Sequence, residues 1–109
     1  MAKYVFSFTF SGRRDESEAD RRVRHGKAYL DAFRVLNRFG YAWSVFQSVM
    51  FFTSDHTRAE MIDILRPLLS EGDTFFLVSF DEPDAASFIG WLPNADECER
   101  LFTVIEDLN

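Results

Sequence analysis

The stretch Gly40-Tyr41-Ala42-Trp43-Ser44-Val45-Phe46-Gln47-Ser48-Val49-Met50-Phe51-Phe52 decides the fold of this chain. It carries no charge and is rich in aromatic and β-branched side chains, which favour strands over helices. As one straight strand it would run to roughly 40 Å, too long for a domain whose radius of gyration should be about 13 Å. We therefore expect the stretch to bend, or to fold back as two short strands that meet near Phe46 and Gln47.

The composition predicts one domain spanning residues 1–109, because the chain is too short for a second core. Hydrophobic residues make up 47% of the chain and include 13 Phe, enough for a buried core. No apolar run is long enough to span a membrane, and the N-terminus alternates like a strand and lacks the apolar block of a signal peptide. The lone Cys98 cannot form an internal disulfide. We expect a cytoplasmic protein with no membrane partner.

Hydrophobic periodicity and capping signals define the elements around the central stretch. Residues 3–10 alternate as a first strand, with Tyr4, Phe6 and Phe8 on one face. Ser17 followed by Asp20 resembles a helix start, and the first helix is clearest over residues 24–39, with Gly40 placed to end it.

After the central stretch, Thr57 and Glu60 form a capping-box pattern that opens a second helix. Residues 74–80 read as a strand, the acidic run 81–84 as a break, and residues 87–91 as a short strand. Asn94 with Glu97 predicts the cap of a third helix that continues through Leu108. If the central stretch supplies two strands, this order predicts an α+β fold: a ferredoxin-like βαββαβ sandwich with an additional C-terminal strand and helix.

Charge divides the chain into two unlike parts. Residues 1–38 hold nine Lys and Arg against five acids, whereas residues 39–109 hold three against thirteen. The basic part suggests a nucleic-acid contact through the first helix, and the alternative is a solvated helix face with internal ion pairs. The candidate contact residues are Arg13, Arg14, Arg21, Arg24, Lys27, Arg34 and Arg38.

No arrangement of residues predicts a catalytic, metal or cofactor site. Cys98 lies on the apolar side of a predicted helix, as a small buried hydrophobe would. The acids of the 81–84 run offer ligands for a hard cation, but a proline-containing acidic run is more often an exposed turn. We therefore expect no catalytic residue, metal or cofactor.

Part of the central stretch resembles a known family. Gly40 followed by Gln47-Ser48-Val49-Met50-Phe51 is similar to the signature of the small CRISPR spacer-acquisition protein, Cas-two, and of the related virulence-associated protein D toxins. The likeness extends through the second helix to the strand that begins at Asp73-Thr74, and to Phe88-Ile89-Gly90 as the late strand. Gly40, Gln47, Ser48 and Val49 are the motif residues that carry it, in a structural role.

The resemblance implies a ferredoxin-like homodimer from a mobile element or defence system, with edge strands that pair across subunits. In that family an Asp ends the first strand, and the two copies bind a divalent metal for phosphodiester hydrolysis. Here Thr9 stands at that position, and a neutral hydroxyl cannot supply the anionic oxygen that Mg²⁺ prefers.

Three functions follow as hypotheses. The favoured one is a non-catalytic homodimeric scaffold or adaptor of the Cas-two type that contacts DNA or RNA through its basic first helix. The alternatives are a metal-dependent endoribonuclease of the toxin type and a protein-interaction domain with no nucleic-acid role, since this architecture hosts many functions.

Overall fold

A computed structural model describes residues 2–9, 15–46, 49–69, 72–92 and 94–109. Over these residues the chain forms six strands and three helices, which confirms the mixed α+β class. In chain order they are β1 (Ala2–Thr9), α1 (Glu18–Asn37), β2 (Ala42–Phe46), β3 (Val49–Ser54), α2 (Arg58–Leu65) with a short 3-10 turn (Arg66–Leu68), β4 (Thr74–Ser79), β5 (Glu82–Gly90), α3 (Ala95–Leu101) and β6 (Val104–Asp107). No helix among these is long and apolar enough to cross a membrane.

The central stretch forms two antiparallel strands, β2 and β3, which is the second of the two arrangements that the sequence left open. Trp43 lies opposite Phe51 and Ser44 opposite Met50, and the register shifts by a bulge before Phe46. The radius of gyration is 13.8 Å, close to the value expected for a domain of this length.

All six strands belong to one sheet in the order β2-β3-β1-β4-β5-β6. The strand β1 lies at its centre, antiparallel to both β3 and β4, while β6 joins β5 in parallel at the far edge. Among the described residues, the two end strands of the sheet, β2 and β6, therefore pair with a neighbour on one side only.

The core lies between one face of the sheet and the helices α1 and α2. As the alternation of β1 predicts, Tyr4, Phe6 and Phe8 are buried on this face. They pack with Ala32 and Leu36 of α1, and α2 adds buried residues to the same cluster, namely Met61, Ile62 and Leu65. The opposite face of the sheet is therefore not covered by α1 or α2.

Both predicted helix starts before α1 and α2 are confirmed. The Ser17 hydroxyl accepts a hydrogen bond from the Asp20 N–H at 3.1 Å, and α1 begins six residues before the clearest part of its apolar pattern. Thr57 and Glu60 make both bonds of the capping box. These signals succeed because they depend only on residues a few positions apart.

The C-terminal part differs from the prediction. The third helix ends at Leu101, and Val104–Asp107 form β6 instead of continuing it. Asn94 lies at positive φ, 53°, and its side chain makes no capping bond. The run Thr103-Val104-Ile105 is β-branched and favours a strand, while the spacing of its apolar residues imitates a helix.

The strand β5 also begins earlier than predicted. It starts at Glu82 instead of Ser87, so most of the acidic run 81–84 belongs to the strand. Glu82 lies opposite Ser79 and is bound by Arg58 at 3.0 Å, a long-range contact that no local signal predicts.

Candidate functional site

Four of the predicted nucleic-acid residues lie exposed on or beside α1. They are Arg21, Lys27, Arg34 and Arg38, and none of them forms an ion pair with any residue that the structure describes. Lys27, Arg34 and Arg38 share one side of the helix, since they are seven and four residues apart. The predicted contact residues Arg13 and Arg14 lie outside the described residues.

Arg24, the remaining member of the predicted set, has a different environment. Its Nε and Nη2 atoms bond both carboxylate oxygens of Glu16, at 2.8 and 3.0 Å. Only 18% of the Arg24 side chain and 10% of the Glu16 side chain are exposed. The bonds to Glu16 raise the pKa of Arg24, to which the charge of Asp73 also contributes. Arg24 therefore serves an internal ion pair and contributes little to an outer basic surface.

The two described motif residues of the family resemblance have structural roles. A Cβ on Gly40 would lie 2.2 Å from the Thr53 Oγ1 and 2.7 Å from the Thr53 carbonyl oxygen, so only glycine fits beside β3. Val49 begins β3, opposite Ser7 of β1. Gln47 and Ser48 lie outside the described residues.

Thr9, which the resemblance aligns with a metal-binding Asp, ends β1 opposite Thr74. Asp81 follows Phe80, whose N–H bonds the Lys3 carbonyl oxygen, so it lies at the opposite end of β1 from Thr9. Asp73, which precedes Thr74, is only 2% exposed. No group of three potential metal ligands occurs among the residues that the structure describes.

The face of the sheet opposite α1 and α2 carries a cluster of exposed aromatic rings. The rings of Trp43 and Phe51 lie 5.4 Å apart, and those of Phe51 and Phe80 lie 6.2 Å apart. Trp43 is 51% exposed and Phe80 is 53% exposed, whereas Phe51 between them is half-buried. The three rings form a row across the sheet.

These rings surround a hollow of about 320 Å³. We call it the aromatic hollow and define it by the side chains of Lys3, Tyr41, Trp43, Phe51, Thr53 and Phe80. Lys3 lies directly opposite Thr53 in the pairing of β1 with β3, and the Phe80 N–H bonds the Lys3 carbonyl oxygen at 2.8 Å. Residues far apart in sequence thus meet on one surface, and no local pattern in the sequence predicts this surface.

The edge strand β2 borders the aromatic hollow. The Thr53 N–H bonds the Tyr41 carbonyl oxygen at 3.0 Å, so the N–H and C=O groups of Tyr41 point toward β3. Because this direction alternates along a strand, the main-chain groups of Trp43 also point toward β3. Those of Ala42 and Ser44 therefore point away from the sheet. The edge presents hydrogen-bonding groups from a segment without charge, Ala42–Phe46.

Comparison with protein-family models, curated proteins and solved structures finds no match for the chain. The resemblance to Cas-two therefore stays a prediction from the motif residues, and the argument for function depends on the surfaces described above.

Proposed function

We propose that the chain is a non-catalytic homodimeric scaffold or adaptor of the Cas-two type, built on a ferredoxin-like unit and paired through β2. The order of the first four strands in the sheet, β2-β3-β1-β4, supports the ferredoxin-like unit, with α1 and α2 as its two helical connections. On this reading β5, α3 and β6 are additions to that unit.

The edge of β2 carries the proposal of a dimer. An uncharged edge strand whose alternate main-chain groups point away from the sheet is a template for pairing with a second chain. The other edge strand, β6, carries Glu106 and Asp107, and charges of this kind discourage such pairing. Two β2 strands related by a twofold axis would pair in antiparallel orientation and continue the sheet across both subunits.

Ser44 allows a test of this edge with a matched control. Its hydroxyl accepts a bond from the Tyr29 hydroxyl at 2.8 Å and donates to the Val49 carbonyl oxygen at 3.2 Å. Ser44→Ala removes both bonds and keeps the main-chain N–H, whereas Ser44→Pro also removes the outward N–H. Any difference between the two variants therefore reports the edge.

We expect light scattering to give twice the chain mass of 12.7 kDa for the parent and for Ser44→Ala, and a monomer for Ser44→Pro. Circular dichroism on the same samples checks that Ser44→Pro is folded. A monomeric parent at high micromolar concentration would contradict the dimer. Equal dissociation of both variants would exclude β2 as the surface.

Nucleic-acid binding through α1 is a second part of the proposal, and the exposed cations Lys27, Arg34 and Arg38 favour it. Each phosphate contact that is lost should reduce the slope of log affinity against log salt by about 0.9 for duplex DNA. We expect Lys27→Ala/Arg34→Ala to weaken binding to labelled duplex DNA or RNA and to lower that slope by about two.

Arg22→Ala/Arg100→Ala is the control for this test, because it removes the same number of exposed cations. Arg22 pairs with Glu18 and Arg100 with Glu97, so their charges are locally balanced. If both double variants bind alike, the side of α1 that carries Lys27 and Arg34 is a solvated helix face.

The endoribonuclease alternative makes the opposite prediction for catalysis. The proposed scaffold should not cleave RNA with Mg²⁺ or Mn²⁺ above a heat-killed control, since Thr9 offers no anionic ligand. Metal-dependent cleavage by the purified parent would support the toxin-type reading. A dimer without either nucleic-acid binding or cleavage would favour the protein-interaction domain.

A further inference from the structure

We propose that the aromatic hollow binds a small, flat aromatic molecule that carries one negative charge. This site is separate from the edge of β2, and the inference does not depend on the dimer. It combines three features of the hollow: exposed rings, a cation without an ion pair, and a size that suits a small ligand.

The rings provide an apolar surface for a planar group. Phe51 forms the half-buried centre of the row, and Trp43 and Phe80 rise on either side of it as partly exposed walls. Tyr41 adds a fourth ring at the border and is 72% exposed. Offset or edge-to-face contact with such rings is worth about 0.5–1.5 kcal/mol for each pair beyond the burial of area.

Lys3 provides the charge complementarity that selects an anion. It forms no ion pair with any residue in the described part of the chain, and it lines the hollow among aromatic side chains. The Thr53 hydroxyl, directly opposite, accepts a bond from the Tyr41 N–H at 3.0 Å. Its own proton is therefore left to donate to a carboxylate beside the Lys3 ammonium group.

The surroundings limit the ligand to a small and singly charged molecule. The hollow of about 320 Å³ lies near the lower limit of small-molecule sites. Asp81 follows Phe80, and the chain carries a net charge of −6, so a polyanion such as a nucleic-acid strand is disfavoured here. Glu82 is bound by Arg58 and does not compete for Lys3.

A pair of probes of the same shape tests the charge. The probes are 2-naphthoate and its neutral analogue 2-naphthamide, titrated into the full chain and followed by the indole N–H signals in ¹H–¹⁵N spectra. The chain has two tryptophans, and Trp91, 73% exposed beyond β5, serves as an internal control. A Trp91→Phe variant assigns the two signals.

We expect 2-naphthoate to shift the Trp43 signal and leave that of Trp91 unchanged. Lys3→Met should lower the affinity for 2-naphthoate by about threefold to fivefold, the range of an exposed ion pair. The affinity for 2-naphthamide should not change. Trp43→Leu should weaken both probes by about tenfold. If Trp43→Leu does not fold, the affinities of the two probes for the parent and for Lys3→Met still test whether the hollow selects an anion.

Three results would overturn the proposal. The first is equal affinity for both probes with no effect of Lys3→Met, which describes a non-selective apolar surface. The second is an equal shift of both indole signals. The third is a dimer that Trp43→Leu dissociates and Ser44→Pro does not, because a second copy of the chain would then occupy the hollow.

Discussion

Arg58 should be the main side-chain attachment of the C-terminal strand to the rest of the fold, in addition to the pairing of β6 with β5. Its Nε bonds the Ser87 Oγ at 3.1 Å, its Nη2 bonds Glu106 at 3.2 Å, and its Nη1 lies 3.0 Å from Glu82. The Ser87 hydroxyl in turn donates to the same Glu106 oxygen at 2.6 Å. Only 10% of the Arg58 side chain is exposed, so a neutral substitute would leave these partners without their cation.

The cost of Arg58→Met follows from the exposure of each partner. Removing one member of a fully buried pair costs about 3–5 kcal/mol. Glu82 is 66% exposed and should contribute less than about 1 kcal/mol, because water replaces its partner. Glu106 is 36% exposed and Ser87 is fully buried, so losing their bonds should cost about 2 kcal/mol. We expect Arg58→Met to lower the free energy of unfolding by about 2–3 kcal/mol.

Urea unfolding measures this loss, and amide hydrogen exchange locates it. Protection should fall first at Leu108, whose N–H bonds the Phe88 carbonyl oxygen beyond the end of β6. Arg66→Met is the control, since Arg66 is 42% exposed and binds Asp63 and the Leu108 carbonyl oxygen at the surface. A loss below about 1 kcal/mol, or one no larger than that of Arg66→Met, would refute the reasoning.

The remaining predictions concern two glycines and one carboxylate. Gly26→Ala should raise the free energy of unfolding by about 0.5–1 kcal/mol, because Gly26 lies within α1 and a Cβ there meets nothing within 4 Å. Gly90→Ala should lower the free energy of unfolding by about 2–4 kcal/mol, since φ is +97° and the Cβ would lie 2.0 Å from the Asp73 carbonyl oxygen. Thermal melts should therefore show a higher melting temperature for Gly26→Ala and a lower one for Gly90→Ala. Hydrogen bonds from Thr57, the main-chain bond first, lower the pKa of Glu60. The stabilisation is therefore present above the ordinary pKa and lost as the pH falls through the folded value, so urea titrations between neutral pH and about pH 3 should show a shallower loss for Glu60→Gln than for the parent.

The predictions that succeeded rest on short-range patterns. The Ser17 and Thr57 caps depend on residues three positions apart, and the buried face of β1 depends on strict alternation. The length of the central stretch against the expected size of the domain argued against one straight strand, but left open a bent strand or two short ones. Each of these signals can be read without knowing what packs against the element.

The predictions that failed depend on contacts between distant residues. Leu101, Phe102, Ile105 and Leu108 have helical spacing, yet Leu101 is 75% exposed and Phe102 packs on the ring of Phe76 at 5.7 Å. The strand β6 is held instead by its parallel pairing with β5 and by Arg58, 48 residues before Glu106. Local spacing cannot distinguish this strand from the last turns of a helix.

The candidate surfaces could not be predicted from the sequence, because they too depend on contacts between distant residues. Lys3 and Thr53 meet only because of the register between β1 and β3, and a shift by one residue would move either side chain to the other face. The aromatic composition of the central stretch predicted a sheet, but not which rings remain exposed. The prediction that Gly40 ends α1 was wrong, because the helix ends at Asn37 with Arg38 as its cap and Gly40 has no positive φ. Its tight contact with Thr53 is what requires glycine at this position.

The aromatic hollow and the open edge involve different groups of neighbouring β2 residues, so experiments can test the two surfaces separately. Trp43 turns its main chain toward β3 and its ring to the aromatic hollow, whereas the main chain of Ser44 points to the open edge. The Ser44 side chain meanwhile lies on the helical side, where it accepts from Tyr29. A change of the Trp43 ring therefore alters the hollow without removing an edge donor, and Ser44→Pro removes an edge donor without entering the hollow. Loss of a ligand from the hollow therefore leaves the test of the edge intact, and loss of an edge donor leaves the test of the hollow intact.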